Sequence, residues 1–134
     1  MKAFSKQCAK NARVLQMPKS LRQAIVSKHN LLRNQIAEGK LKRYQPAKRM
    51  ATMRWSPELA KLAEYNVKQC KMNHDQCRNT NKFAYAGQNG AKNEWSGQNR
   101  PVAVVAREQI QNWFNENKKC SMAIIKNLNS LQVF

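Results

Sequence analysis

Acidic residues are what this chain lacks most: 7 Asp and Glu stand against 25 Lys and Arg in 134 residues, a formal net charge of +18. So few carboxylates leave little material for chemistry that needs two acids facing across a cleft, as glycosidic cleavage does. Histidines number only two, His29 and His74, and no Ser-His-Asp order with a nucleophile elbow is present. Neither a phosphate-cradling glycine loop nor a dinucleotide fingerprint occurs. No apolar run approaches the length of a bilayer span, and no repeat or long low-complexity tract is visible. The opening MKAFSKQCAKNARV has no apolar h-region, so no signal peptide is read there.

What is present suits one globular domain: the length is right for a single core and 42% of residues are hydrophobic. The excess of base attracts any polyanion, whether nucleic acid, anionic lipid or sulfated glycan. Lysines and arginines are nevertheless scattered from Lys2 to Lys126. Scatter favours a solvated surface over a dedicated nucleic-acid face, so anionic surfaces are an expected partner class and a specific nucleic acid is not. The densest stretch, Lys40, Lys42 and Arg43 with Lys48 and Arg49 beyond, falls in an expected loop.

Four cysteines, Cys8, Cys70, Cys77 and Cys120, allow three pairings. Disulfides imply an oxidising compartment, which conflicts with the missing leader. Three readings stay open on these residues: free thiols in a cytosolic chain, disulfides in a chain whose true N-terminus is missing, or zinc. For zinc, the stretch Cys70, His74, Cys77 offers two thiols and an imidazole, but at no standard zinc spacing.

Periodicity predicts a helix over 20–37, with Leu21, Ile25, His29, Leu32 and Ile36 on one face, Ser20 as cap and Gly39 just past the end. His29 on that stripe reads as a hydrogen-bonded core histidine. Residues 39–55 read as an irregular loop that wraps the next helix, with Met50, Met53 and Trp55 as apolar anchors. Ser56-Pro57-Glu58 is a strong helix start, and Leu59, Leu62, Ala63, Asn66, Val67 and Cys70 carry that helix toward Met72. A turn-like stretch over 73–82 follows, then a short strand from Phe83 through Tyr85 to Asn89, then loop over 90–100. Pro101 opens a third helix with Val102, Val105, Ala106, Gln109, Ile110 and Trp113 on one face and Lys118 and Lys119 in its last turn. Met122, Ile124, Ile125, Leu128, Leu131, Val133 and Phe134 make the end a fourth helix or a tail. These patterns together describe three or four helices with little strand.

Candidates for catalysis are thin. Glu108 and Glu116 lie two helical turns apart, a spacing usual for a solvated face. A thiol nucleophile at Cys70 or Cys77 beside His74 is incompatible with disulfide pairing.

Several stretches nevertheless stand in a specific order: His29-Asn30 with Arg33; Pro46-Ala47-Lys48-Arg49-Met50; Met53-Arg54-Trp55-Ser56-Pro57-Glu58-Leu59-Ala60 with Ala63 and Cys70; His74-Asp75 with Cys77-Arg78; Tyr85-Ala86-Gly87-Gln88-Asn89; and Ile110 with Trp113-Phe114-Asn115-Glu116. In this order and at these intervals the chain resembles the antigen 5 branch of the CAP superfamily, from about Cys8 to about Ser121. That superfamily joins cysteine-rich secretory proteins, insect antigen 5 venom allergens and plant pathogenesis-related proteins of class one.

The resemblance implies an α/β fold of α-β-α sandwich type, mostly helical here because the closing strands are missing. It implies residues 1–19 as an N-terminal extension and 20–134 as a partial CAP (SCP) domain. Secretion and disulfides are implied as well, with Cys8 paired to Cys70, Cys77 matching a cysteine whose usual partner lies in an extension absent here, and Cys120 unassigned. The family cleft is typically lined by two histidines and two acids that hold a divalent metal in some members. His74 matches the first histidine and Glu116 one acid; Gln88 replaces the other acid. The second histidine belongs to a strand motif beyond the chain's end. With half the set left and an amide for a carboxylate, no metal and no cofactor are expected.

Helices built to cover a missing sheet leave faces such as Val102, Ile110 and Trp113 partly exposed. The chain therefore reads as C-terminally truncated, an incomplete gene model or degenerate paralogue without function of its own. As a working protein it reads as a secreted, non-enzymatic CAP module for extracellular recognition or for holding a lipid or sterol. The alternative is a basic polyanion-binding protein acting on glycan or nucleic acid. A hydrolase, proposed for some relatives, is disfavoured by the loss of half the cleft's polar groups.

Overall fold

The computed structural model describes residues 3–127. Leu128, Leu131, Val133 and Phe134, read as the apolar end of a fourth helix, lie outside the described residues. The chain divides into two compact units, one of residues 1–17 with 55–98 and one of residues 18–54 with 99–134.

In the second unit, α1 spans Lys19–Ala37 and α3 spans Val102–Asn115. Pro18, not Ser20, precedes the first turn of α1, and no side chain caps it. The ring holds Pro18 at φ −62° and its carbonyl accepts from Arg22 N at 3.0 Å, so the helix starts without a hydroxyl cap. Its far end closes as expected. Gly39 has φ +70°, its N–H donates to Ile36 and that of Lys40 to Gln35, the pairing that satisfies the last free carbonyls of a helix. A Cβ on Gly39 would also meet Pro46 Cγ at 2.7 Å, so the loop after α1 folds back tightly only because this position is glycine.

α1 packs against α3. Leu21, Leu32, Ile110 and Tyr44 form the buried apolar core among the described residues. Of the α3 residues expected to stay partly exposed, Val102 and Trp113 do so and Ile110 does not. Val102 is 40% exposed, but Ile110 is only 4% exposed because α1 covers it. Lys28 Nζ donates to Gln111 Oε1 at 2.6 Å across the same pair of helices. His29 is hydrogen-bonded as expected but half-buried rather than in the core: Nδ1 lies 2.9 Å from the Ile25 carbonyl, and the ring centre is 6.5 Å from that of Trp113. A 3-10 turn over Glu116–Lys119 follows α3, so Lys118 and Lys119 end that turn rather than an α-helix. A short helix, α4, spans Met122–Lys126, with Ser121 Oγ accepting from Ile124 N.

The first unit is held differently. Its one helix among the described residues, α2, spans Pro57–Val67; Ser56 Oγ accepts from Leu59 N at 3.3 Å, as its sequence dictates. α2 stops short of Met72. Lys68 ends it and Cys70 turns left-handed at φ 54°, a conformation a disulfide to Cys8 holds in place. Lys68 is the unit's one buried residue among those described. It donates to Glu64 Oε1 at 2.6 Å and lies 5.7 Å from the centre of the Phe4 ring, while its carbonyl accepts from Ser5 N at 2.9 Å. Residues 3–17 are thereby strapped to the end of α2.

The strand expected over Phe83–Asn89 does not form, and no strand occurs among the described residues, so the sheet of the implied α-β-α sandwich is absent from them. The physical reason is local. Thr80 and Phe83 exchange backbone hydrogen bonds at 2.9 and 3.1 Å, and Ala86 bonds to the side chains of Asn79 and Arg78. With its backbone groups committed to neighbours a few residues away, the segment has no ladder to join, and Tyr85 is left 99% exposed.

Candidate functional site

The chain reverses at the Thr80–Phe83 turn, and His74 before it and Gln88 after it come together in the first unit. His74 is exposed and Gln88 half-buried. Gln88 Oε1 lies 3.3 Å from His74 Nδ1 and accepts from Asp75 N at 2.9 Å, while Gln88 Nε2 donates to Asp75 Oδ2 at 2.8 Å. An amide oxygen at this distance favours the tautomer with its proton on Nδ1, leaving the lone pair on Nε2. Gln69 Nε2 donates to the other oxygen of Asp75 at 2.6 Å. Arg78 clamps the backbone, with Nη1 donating to the Asp75 carbonyl at 2.7 Å and Nε to that of Ala86 at 3.0 Å.

Glu116, the third residue of the implied cleft, belongs to the other unit, exposed at the first position of the 3-10 turn. Sequence reasoning quoted Asp75 and Arg78 but gave them no role, although a carboxylate directly after His74 was the available signal.

The donor set does not fit a divalent metal. Gln88 spends its oxygen on Asp75 and His74 and its N–H on the Asp75 carboxylate. Among the described residues no three His, Cys, Asp or Glu side chains gather as a ligand group. The zinc alternative falls on Cys70 as well, since its sulfur is bonded to Cys8 with Cα atoms 5.3 Å apart.

Cys77 and Cys120, included with Cys8 and Cys70 as disulfide cysteines, are free thiols, exposed and half-buried respectively. The first unit holds Cys8, Cys70 and Cys77; once two have joined, one is left over. The second unit holds Cys120 alone.

The second unit carries a groove of about 420 Å³ beside α1, lined by Leu31, Ala37 and Met50 together with Asn30, Arg33 and Thr52, among others. Its floor is pinned by side chains of α1. Asn30 exchanges two hydrogen bonds with the backbone of Met53, at 3.0 and 2.8 Å, and Arg33 Nη2 donates to the Ala51 carbonyl at 2.9 Å. Arg33 Nε is buried without a hydrogen-bond partner. Leu31 is 57% exposed at the groove.

Residues 26–131 match the sequence model of CAP, the cysteine-rich secretory protein family. The chain belongs to the CAP family. Over 118 residues it is 46% identical to "Antigen 5 like allergen Cul n 1" of Culicoides nubeculosus, which covers 88% of this chain and 53% of that relative. It is 38% identical over 122 residues to "Venom allergen-1" of Aedes aegypti, covering 91% of this chain and 48% of the relative. With "Venom allergen 3" of Solenopsis invicta identity is 43% over 100 residues, 71% of this chain and 41% of the relative. The chain thus spans about half the length of the curated relatives it matches. No solved structure matches it. Membership in the CAP family fits an α/β class, and no described helix is long and apolar enough to cross a membrane.

Proposed function

We propose that this CAP-domain chain acts outside the cell as a non-enzymatic module of antigen 5 type that takes up a lipid or sterol. The observation that carries the reading is the groove beside α1, where Leu31, 57% exposed, flanks a space of about 420 Å³. That volume lies in the range of small-molecule sites, and Leu31, Ala37 and Met50 supply apolar contacts beside the polar Ser27, Asn30, Arg33, Asn34 and Thr52. The Cys8–Cys70 disulfide supports an oxidising, extracellular setting, as do the allergen names of the relatives. Absence of catalysis is supported by Gln88, a neutral amide already satisfied beside the exposed histidine.

A fluorescent sterol titrated into the oxidised protein is expected to bind saturably. Leu31→Asp should weaken binding by about tenfold or more, the order expected when one apolar contact of a buried ligand is lost. A protein with an intact melt and no saturable binding would sink the lipid reading and leave recognition of a protein surface in its place.

A further inference from the structure

Two basic stretches that lie some 75 residues apart in the chain meet in the second unit. Arg43 Nη1 donates to the carbonyl of Lys118. Next to it, the Tyr44 hydroxyl donates to the carbonyl of Asn117, with that of Cys120 3.1 Å away. Tyr44 is 8% exposed, and burial pushes its phenol above the ordinary value, so it acts as a fixed rivet between loop and turn. The loop is braced behind it by Gly39 against Pro46 and by Tyr44 N donating to Leu41 O at 2.9 Å. Lys42, Arg43, Lys118 and Lys119 are all exposed, and none is in an ion pair among the described residues. Of the acids closest to them in the chain, Glu38 is engaged by Lys40 at 2.5 Å, which leaves Glu116.

We propose that Lys42, Arg43, Lys118 and Lys119 form one docking surface for a sulfated glycan chain. The hydrogen bonds of Arg43 and Tyr44 hold the two basic stretches side by side before any ligand arrives, which removes part of the ordering cost of binding. Arg43 uses one Nη for the turn and keeps further N–H groups for a forked contact with sulfate, while the three lysines act as point charges. Single-stranded nucleic acid needs exposed rings on which bases stack, and the ring at this place, Tyr44, is buried. The choice of glycan over nucleic acid rests on the proposed extracellular setting; the meeting of the two basic stretches at Arg43 and Lys118 does not.

Heparin, chemically desulfated heparin, duplex DNA of matched charge and phosphatidylserine vesicles are titrated into the oxidised protein over a range of salt. Heparin should bind, and desulfated heparin about tenfold more weakly or worse. K42A/K118A/K119A should lose about tenfold or more in heparin affinity, with the salt slope falling by about one for each contact removed. K6A/K10A/K71A removes the same charge from exposed lysines of the other unit and should lose less than about threefold. Should circular dichroism show the first triple unfolded, K118Q/K119Q is read in its place, with a loss of about threefold or more expected. Equal losses in both triples overturn the proposal, since binding then follows net charge alone. Tighter binding to DNA or to vesicles than to heparin overturns the glycan assignment. The sterol titration does not depend on these lysines, so the two proposals fail separately.

Discussion

Lys68 and Glu64 show how a basic protein short of acids uses the few it has. Lys68 and then Lys61 hydrogen-bond the Glu64 carboxylate and hold its pKa below the ordinary carboxylate value. A carboxyl with a lowered folded pKa contributes stability above its unfolded value and loses it as pH falls through the folded one. Glu64→Gln should therefore lower Tm at neutral pH and flatten the acid limb of Tm against pH. Superimposable curves for the two proteins would show that the pair contributes nothing. Gln88 is the complementary case. Its amide bridges His74 and Asp75, a role a carboxylate cannot take because it would face the Asp75 carboxylate at hydrogen-bond distance. The contact between Gln88 and Asp75 spans 13 residues, so no short stretch of sequence shows it.

The helices answer to signals of short range, and where those signals are strong the boundaries agree with the sequence. Ser56-Pro57 starts α2 and Gly39 closes α1. Pro101 opens α3, its carbonyl accepting from Val104 and Val105. Where a distant contact competes, the boundary moves: α2 ends at Val67 because residues 3–17 and the Cys8 sulfur seize its end. The α3 stripe was visible as a pattern, but its burial was not uniform. Ile110→Ala should cost about 2–4 kcal/mol by urea denaturation, since it empties a position 4% exposed beneath α1. Val102→Ala, at a position 40% exposed, should stay within about 0.5 kcal/mol. Similar costs at the two positions would mean that α3 does not bury this face on α1.

The two units of the molecule differ in what holds them. One has an apolar core of Leu21, Leu32, Tyr44 and Ile110; the other, among its described residues, buries only Lys68 and depends on a covalent link closing a separation of 62 residues. By loop-closure entropy that link is worth on the order of 4 kcal/mol. Reduction with dithiothreitol should strip hydrogen-exchange protection from the amides of α2 while those of α1 and α3 keep theirs. Simultaneous loss from all three helices would mean that the chain unfolds as one cooperative body.

Charge, cysteine number, helix starts and apolar periodicity were legible from residues a few positions apart, because caps, proline geometry and side-chain spacing act within a turn or two. The family order was legible too, since it resides in motifs along the chain. Long-range pairing was not readable from composition or spacing: four cysteines admitted three pairings, and the folded chain joins Cys8 to Cys70 while leaving Cys77 and Cys120 free. Nor did lysines that looked scattered reveal that Arg43 and Lys118 would meet. Such contacts depend on which surfaces can be buried together against the entropy of closing long loops, a balance struck by the whole chain and not by any short stretch of it.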